Sequence, residues 1–145
     1  MVIMTAKVSK RKILAAICAV AAAVLIAVFL FGGKKEGLSG RTEADRTAYI
    51  ADLGYNAALI SERSVTLPEE FDEAYEKYNG IQKECGFDLE PFAGKKVTLY
   101  TYNVLNYPDC EKVLLDLLVF KGNIIGGSVY TSAVDGFMHG LKKAQ

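Results

Sequence analysis

The 145-residue chain has room for one ordinary domain and a short appendage, and its formal net charge is zero. That zero conceals a division: six of the seventeen basic residues fall in the first 35 positions, whereas beyond residue 37 eleven basic residues face sixteen acidic ones, a net charge near −5. An acidic domain of this kind argues against a reader of phosphate backbones, which needs a basic surface, so no nucleic acid is expected as a partner.

Residues 1–12 are a basic N-terminus carrying Lys7, Lys10, Arg11 and Lys12. Residues 13–31, ILAAICAVAAAVLIAVFLF, hold no charge at all. As a helix this run is about 28 Å long, against a bilayer core of about 30 Å. It has no polar face, so a transmembrane helix is expected, with the lipid bilayer as the partner of 13–31. Four Lys/Arg precede it and two, Lys34 and Lys35, follow. The positive-inside rule then puts the N-terminus in the cytoplasm and the C-terminal domain outside it. A cleaved signal peptide is the rival reading. Its apolar region is normally only about 7–15 residues, and Phe29-Leu30-Phe31 stands where small cleavage-site residues belong. Cys18 makes a poor lipoprotein cysteine, because Ile17 precedes it and more apolar residues follow. Ala15, Ala19, Ala23 and Ala27 recur every fourth residue. This small-xxx-small stripe is a candidate for transmembrane self-association, set against plain alanine richness.

Residues 32–40 read as a flexible linker, with five Gly or Ser among charges, spanning about 15–18 Å. Residues 41–145 are the domain. Thr42 can cap a helix with Asp45 as its capping-box partner, Tyr49, Ile50 and Leu53 form the apolar stripe, and Gly54 fits the end. A strand over 58–67 follows and stops at Pro68. Pro68 is expected to open a second helix, with Glu69, Glu70, Asp72 and Glu73 at its positive end. Phe71, Ala74, Tyr75, Tyr78, Ile81 and Cys85 make its buried face, and Gly86 ends it.

The period then changes to two. Val97, Leu99 and Thr101 alternate with Thr98, Tyr100 and Tyr102. After Pro108-Asp109, Val113, Leu115, Leu117 and Val119 line one face of a strand and Leu114, Leu118 and Phe120 the other. A strand apolar on both faces is usually central. Gly122-Asn123 is read as the hairpin pair, returning through 124–131. The fold class is therefore α+β: an antiparallel sheet of about four strands with two helices on one face, after the transmembrane helix.

These residues resemble a known family. The segments YNGIQKECGFDLEPFAGKKVTLYTYNVLNYP (78–108) and LVFKGNIIGGSVYTSAVDGFMHGL (118–141) are similar to the domain-of-unknown-function family 4830, short membrane-anchored proteins of Gram-positive bacteria. Leu53-Gly54-Tyr55 and Leu67-Pro68-Glu69-Glu70-Phe71 carry the same likeness. The resemblance implies compartment and architecture, and no catalytic residues.

Chemistry-bearing residues are few. His139 is the single histidine, in Asp135-Gly136-Phe137-Met138-His139-Gly140. Ser132, Asp135 and His139 are triad letters at the wrong spacing, with no Gly-x-Ser-x-Gly elbow. The plain alternative is a C-terminal turn in which Phe137 and Met138 plug the core. Cys85 and Cys110 lack paired spacing for a metal, and in an exported domain they can form a disulfide, with a buried Cys85 thiol as the other reading. The acidic cluster from Glu69 to Glu76 lacks the spacing of a calcium loop. Tyr100, Tyr102 and Tyr130 form a binding platform if their face is uncovered, and core if helices cover it. Gly126-Gly127 marks a bulge or a close backbone approach. No catalytic residue, cofactor or metal is assigned. The expectation is a non-catalytic binding or sensing module at the cell surface, engaging another envelope protein or a second copy. The alternative is a small enzyme with its site near Asp135 and His139.

Overall fold

The computed structural model describes residues 10–31 and 37–142, with the side chains of residues 24–31 outside that description. Two units are distinct, one up to Glu36 and the other from Gly37 onward. Lys7, residues 32–36 of the expected linker with Lys34 and Lys35, and the side chain of Ala27 lie outside the described residues.

The first unit contains helix α1, Lys10–Phe31. Its described side chains, from Lys10 to Ala23, are all exposed. Among the described residues no helix is long and apolar enough to cross a membrane.

The second unit begins at Gly37, so the last four residues of the expected linker belong to the fold. Gly40 N–H donates to the Gly122 carbonyl at 2.9 Å and Ile124 N–H to the Leu38 carbonyl at 2.7 Å. Ser39 bridges Asn123. Helix α2, Glu43–Asp52, then starts on a full capping box: Thr42 Oγ1 accepts from Asp45 N–H at 3.1 Å, and the Asp45 carboxylate reaches back to Thr42 N–H. Ser39 donates a further 2.7 Å bond to that carboxylate. This bond leads the hydrogen bonds that hold Asp45 below its ordinary carboxylate range.

Five strands follow: β1 Ala57–Thr66, β2 Lys96–Val104, β3 Val113–Phe120, β4 Asn123–Thr131 and β5 Met138–Gly140. They form one sheet in the order β1-β2-β3-β4-β5, every neighbour antiparallel. The fifth strand exceeds the four expected because Met138–Gly140 pairs with the end of β4. The β3–β4 turn is Lys121-Gly122, at φ 48° and 79°, one residue earlier than the expected Gly122-Asn123. A two-residue hairpin needs positive φ at both central positions, and Asn123 is already paired with Phe120.

Helix α3, Glu73–Glu84, starts five residues later than Pro68 suggests. Asp72 is its N-cap, accepting from Tyr75 N–H at 2.8 Å. The carbonyls of Leu67 and Pro68 instead accept from Gly94 N–H, so Glu69 and Glu70 precede the helix. Gly86, at φ +85°, follows its end.

The two domain helices lie on opposite faces of the sheet, not on one. Ile50 of α2 packs with Tyr100, Tyr102, Leu115, Leu117 and Val129. Tyr75 and Tyr78 of α3 pack with Leu67, Leu89, Val97, Leu99 and Leu118. Leu117 and Leu118 are neighbours in one strand and point to opposite faces, so these are two separate cores. Each fully buried Leu or Val stabilises by roughly 1.5–3 kcal/mol. Gly126 and Gly127 permit close approach on both sides. A Cβ at Gly126 would meet Gln82 Oε1 at 2.8 Å, and one at Gly127 would meet Leu141 at 3.0 Å and collide with the Asp116 carbonyl. Gln82 Oε1 accepts from Gly127 N–H at 2.8 Å, fixing α3 to β4. The register shifts next door, between Leu118 and Val119.

Candidate binding groove

The three tyrosines, a platform if uncovered and core if helices cover them, are divided between faces. Tyr102 is 1% exposed and Tyr100 9%, both beneath α2. Arg46, itself buried, closes that side. Its Nε donates to the Tyr102 hydroxyl at 3.0 Å, its other nitrogen to the Gly40 carbonyl at 2.8 Å, and its guanidinium lies 3.7 Å from the Tyr100 ring centroid. Tyr130 pairs with Leu114 and Met138 on the opposite face, half-buried.

Asp135 lies in an exposed turn, closed by a bond from Gly136 N–H to the Ala133 carbonyl. His139 sits on β5, stacked on Phe137 at 5.6 Å. Its Nδ1 donates to the Gly140 carbonyl at 2.6 Å, which leaves Nε2 as acceptor for the Tyr107 hydroxyl at 2.9 Å. Both ring nitrogens are engaged away from Asp135. Of the two readings open for Cys85 and Cys110, a bridge or a buried Cys85 thiol, the structure has the second: both are free thiols and Cys85 is buried. Cys85 is packed against Gly140 at the end of α3, whereas Cys110 lines a hollow made by the single loop after β2. Ala15, Ala19 and Ala23 stand exposed on α1. Among the described residues no group of His, Cys, Asp or Glu could hold a metal ion.

One constellation escaped the sequence reading. On the α3 face of the sheet a groove of about 350 Å³ opens where the helix stops covering it. Asp116, in the middle of central strand β3, lies at its floor, opposite Thr101 on one side and Ser128 on the other. Thr101 Oγ1 donates to Asp116 Oδ1 at 2.7 Å. Burial pushes the carboxyl above its ordinary range, opposed by hydrogen bonds from Thr101 and Tyr130 and by the charge of Arg63. Burial likewise pushes the Tyr78 hydroxyl up to about 12, Ser128 being its hydrogen-bond partner. Tyr130 is also raised, by burial first and then by the neighbouring Asp116 charge.

The walls are apolar. Tyr75 and Tyr78 of α3 stand edge-on at 5.8 Å, above Leu99 and Leu118 of the sheet. Val65 and Leu67 close one end and Met138, 49% exposed, stands at the rim. A concave apolar site with a few convergent polar groups is the usual form of a small-ligand pocket, and about 300 Å³ is its lower size bound. The one signal for this in the sequence is Asp116 itself, a single charge within Val-Leu-Leu-Asp-Leu-Leu-Val-Phe.

Residues 50–129, more than half of the chain, match the family described as Domain of unknown function (DUF4830). No curated protein and no solved structure matches the chain.

Proposed function

The chain belongs to the DUF4830 family, and from its groove we propose a membrane-tethered, non-catalytic binding module. Residues 13–31 form its single-pass anchor, the N-terminus is cytoplasmic, and the α+β domain works at the outer surface of the cell membrane. The observation that carries the binding role is the groove: one half-buried carboxylate at the base of a largely apolar cleft left open beside α3.

The tether rests on the uncharged run and on α1. Ile13, Leu14, Ile17 and Val20 are 48–65% exposed on that helix. Such a helix has no polar face to give to water, and lipid covers it. The catalytic alternative near Asp135 and His139 has less support, because the His139 nitrogens are committed to Tyr107 and Gly140.

A photoreactive amino acid at Met138, on the groove rim, tests the binding role in the full chain in its native membrane. The same probe at Val134, fully exposed on the turn before β5, is the control. Intact-protein mass spectrometry should show small-molecule adducts at position 138 that are missing at 134. Identical adduct patterns at the two positions, or none at 138, would contradict the reading.

A further inference from the structure

We propose that the groove selects a small organic monocation, a primary or secondary ammonium group on an apolar or aromatic body, with Asp116 as its counter-charge. This rests on the groove being a ligand site, and adds to it the chemical class of the ligand.

Charge complementarity is the first ground. Asp116 is a carboxylate at the floor of a cleft whose walls are otherwise apolar or hydroxylic. Among the described residues no cation lies within ion-pair distance of it. The cationic charge that acts on it is that of Arg63, exposed on edge strand β1, with β2 between that strand and β3. Thr101 occupies one carboxylate oxygen and the Tyr130 hydroxyl also hydrogen-bonds the carboxylate, which accepts at several further lone pairs. An ammonium group donates up to three hydrogen bonds and supplies the missing charge.

The aromatic walls are the second ground. Tyr75 and Tyr78 present ring surface on the helix side and Tyr130 on the sheet side of the same cavity. An organic cation gains from aromatic faces, and more so when partly desolvated. A carboxylate ligand would meet Asp116 with like charge, and a neutral alcohol would leave that charge uncompensated. Leu99, Leu118 and Val65 then receive the apolar body.

Full-length protein in nanodiscs, carrying methyl-labelled methionine, gives a direct test. The chain has three methionines, of which Met138 lines the groove, and Met138→Leu assigns its signal. Benzylamine, benzyl alcohol and benzoate are near-isosteric probes of positive, zero and negative charge. Benzylamine should shift the Met138 methyl saturably, about tenfold more tightly than the alcohol, with benzoate weakest. Asp116→Asn should bring the amine down to the alcohol.

Wild-type protein supplies a second readout that needs no variant. Amine binding should weaken on acidification as Asp116 protonates, while alcohol binding stays level. The groups facing Asp116 are Thr101 of β2, Ser128 and Tyr130 of β4, Tyr78 of α3, and the charge of Arg63 on β1. Thr101 and Ser128 carry no ionisable group and burial raises Tyr78 and Tyr130 away from the acid range, so the loss would follow Asp116. Equal binding of all three probes, or an amine preference that survives Asp116→Asn, would overturn the inference and leave the groove as a ligand site. Silence of Met138 toward all three would overturn both.

Discussion

Asp116 is held half-buried between Thr101 and Ser128, and its raised titration has a definite consequence for stability. Its ordinary value is 3.8 and the folded state lies above it. The fold therefore favours the protonated form. That contribution is complete below the ordinary carboxylate range and is lost as pH rises through the raised value. Asp116→Asn keeps an acceptor oxygen for Thr101 and removes the buried charge. It should raise the thermal unfolding midpoint at pH 7, and the gain should close toward pH 4; an equal gain at both pH values would contradict this. Arg46 is buried, bonded to Tyr102 and Gly40 and set over the Tyr100 ring. Arg46→Ala should cost about 2–4 kcal/mol in denaturant unfolding, from lost charged hydrogen bonds and the cation–π contact. A cost below about 0.5 kcal/mol, the size of a surface change, would mean that α2 is not pinned there.

Local signals at the ends of elements were legible where the partners lie close in sequence. Thr42 and Asp45 are three residues apart, and the capping box forms as read. Thr42→Ala should lower stability by about 1 kcal/mol. The start of α3 falls at Asp72 and not at Pro68. The Asp72 side chain caps a helix, while the Pro68 carbonyl is drawn into the turn with Gly94, 26 positions away, which no local pattern reveals. At the β3–β4 hairpin the chain accepts a non-glycine residue, Lys121, at φ 48°. Lys121→Asn, which suits the left-handed region better, should stabilise by about 0.5–1 kcal/mol. Destabilisation instead would show that the Lys121 side chain, whose ammonium lies 5.3 Å from the Phe120 ring centroid, outweighs backbone preference.

At the scale of the whole molecule, the double apolar pattern of β3 calls for more than a sheet covered by helices on one face. Leu115 and Leu117 on one side, with Leu114 and Leu118 on the other, require cover on both faces, and α2 and α3 divide that work. Which helix takes which face depends on long-range packing, which the periodicity does not specify. The groove was illegible for the same reason. Thr101, Asp116 and Ser128 meet only through the register of three strands, and Tyr78 and Tyr130 are 52 positions apart. The glycine pair was readable as a close approach, though not what approaches. Gly127→Ala should cost about 3 kcal/mol by displacing Leu141 and the β3 backbone.

The proposed export of the domain, with residues 13–31 as its tether, is tested directly by protease treatment of intact cells bearing a C-terminal epitope. The tag should be removed while a cytoplasmic control survives, and full-length protein should stay in the membrane pellet after alkaline carbonate washing. A tag protected until the cells are lysed, or full-length protein released by carbonate, would contradict it.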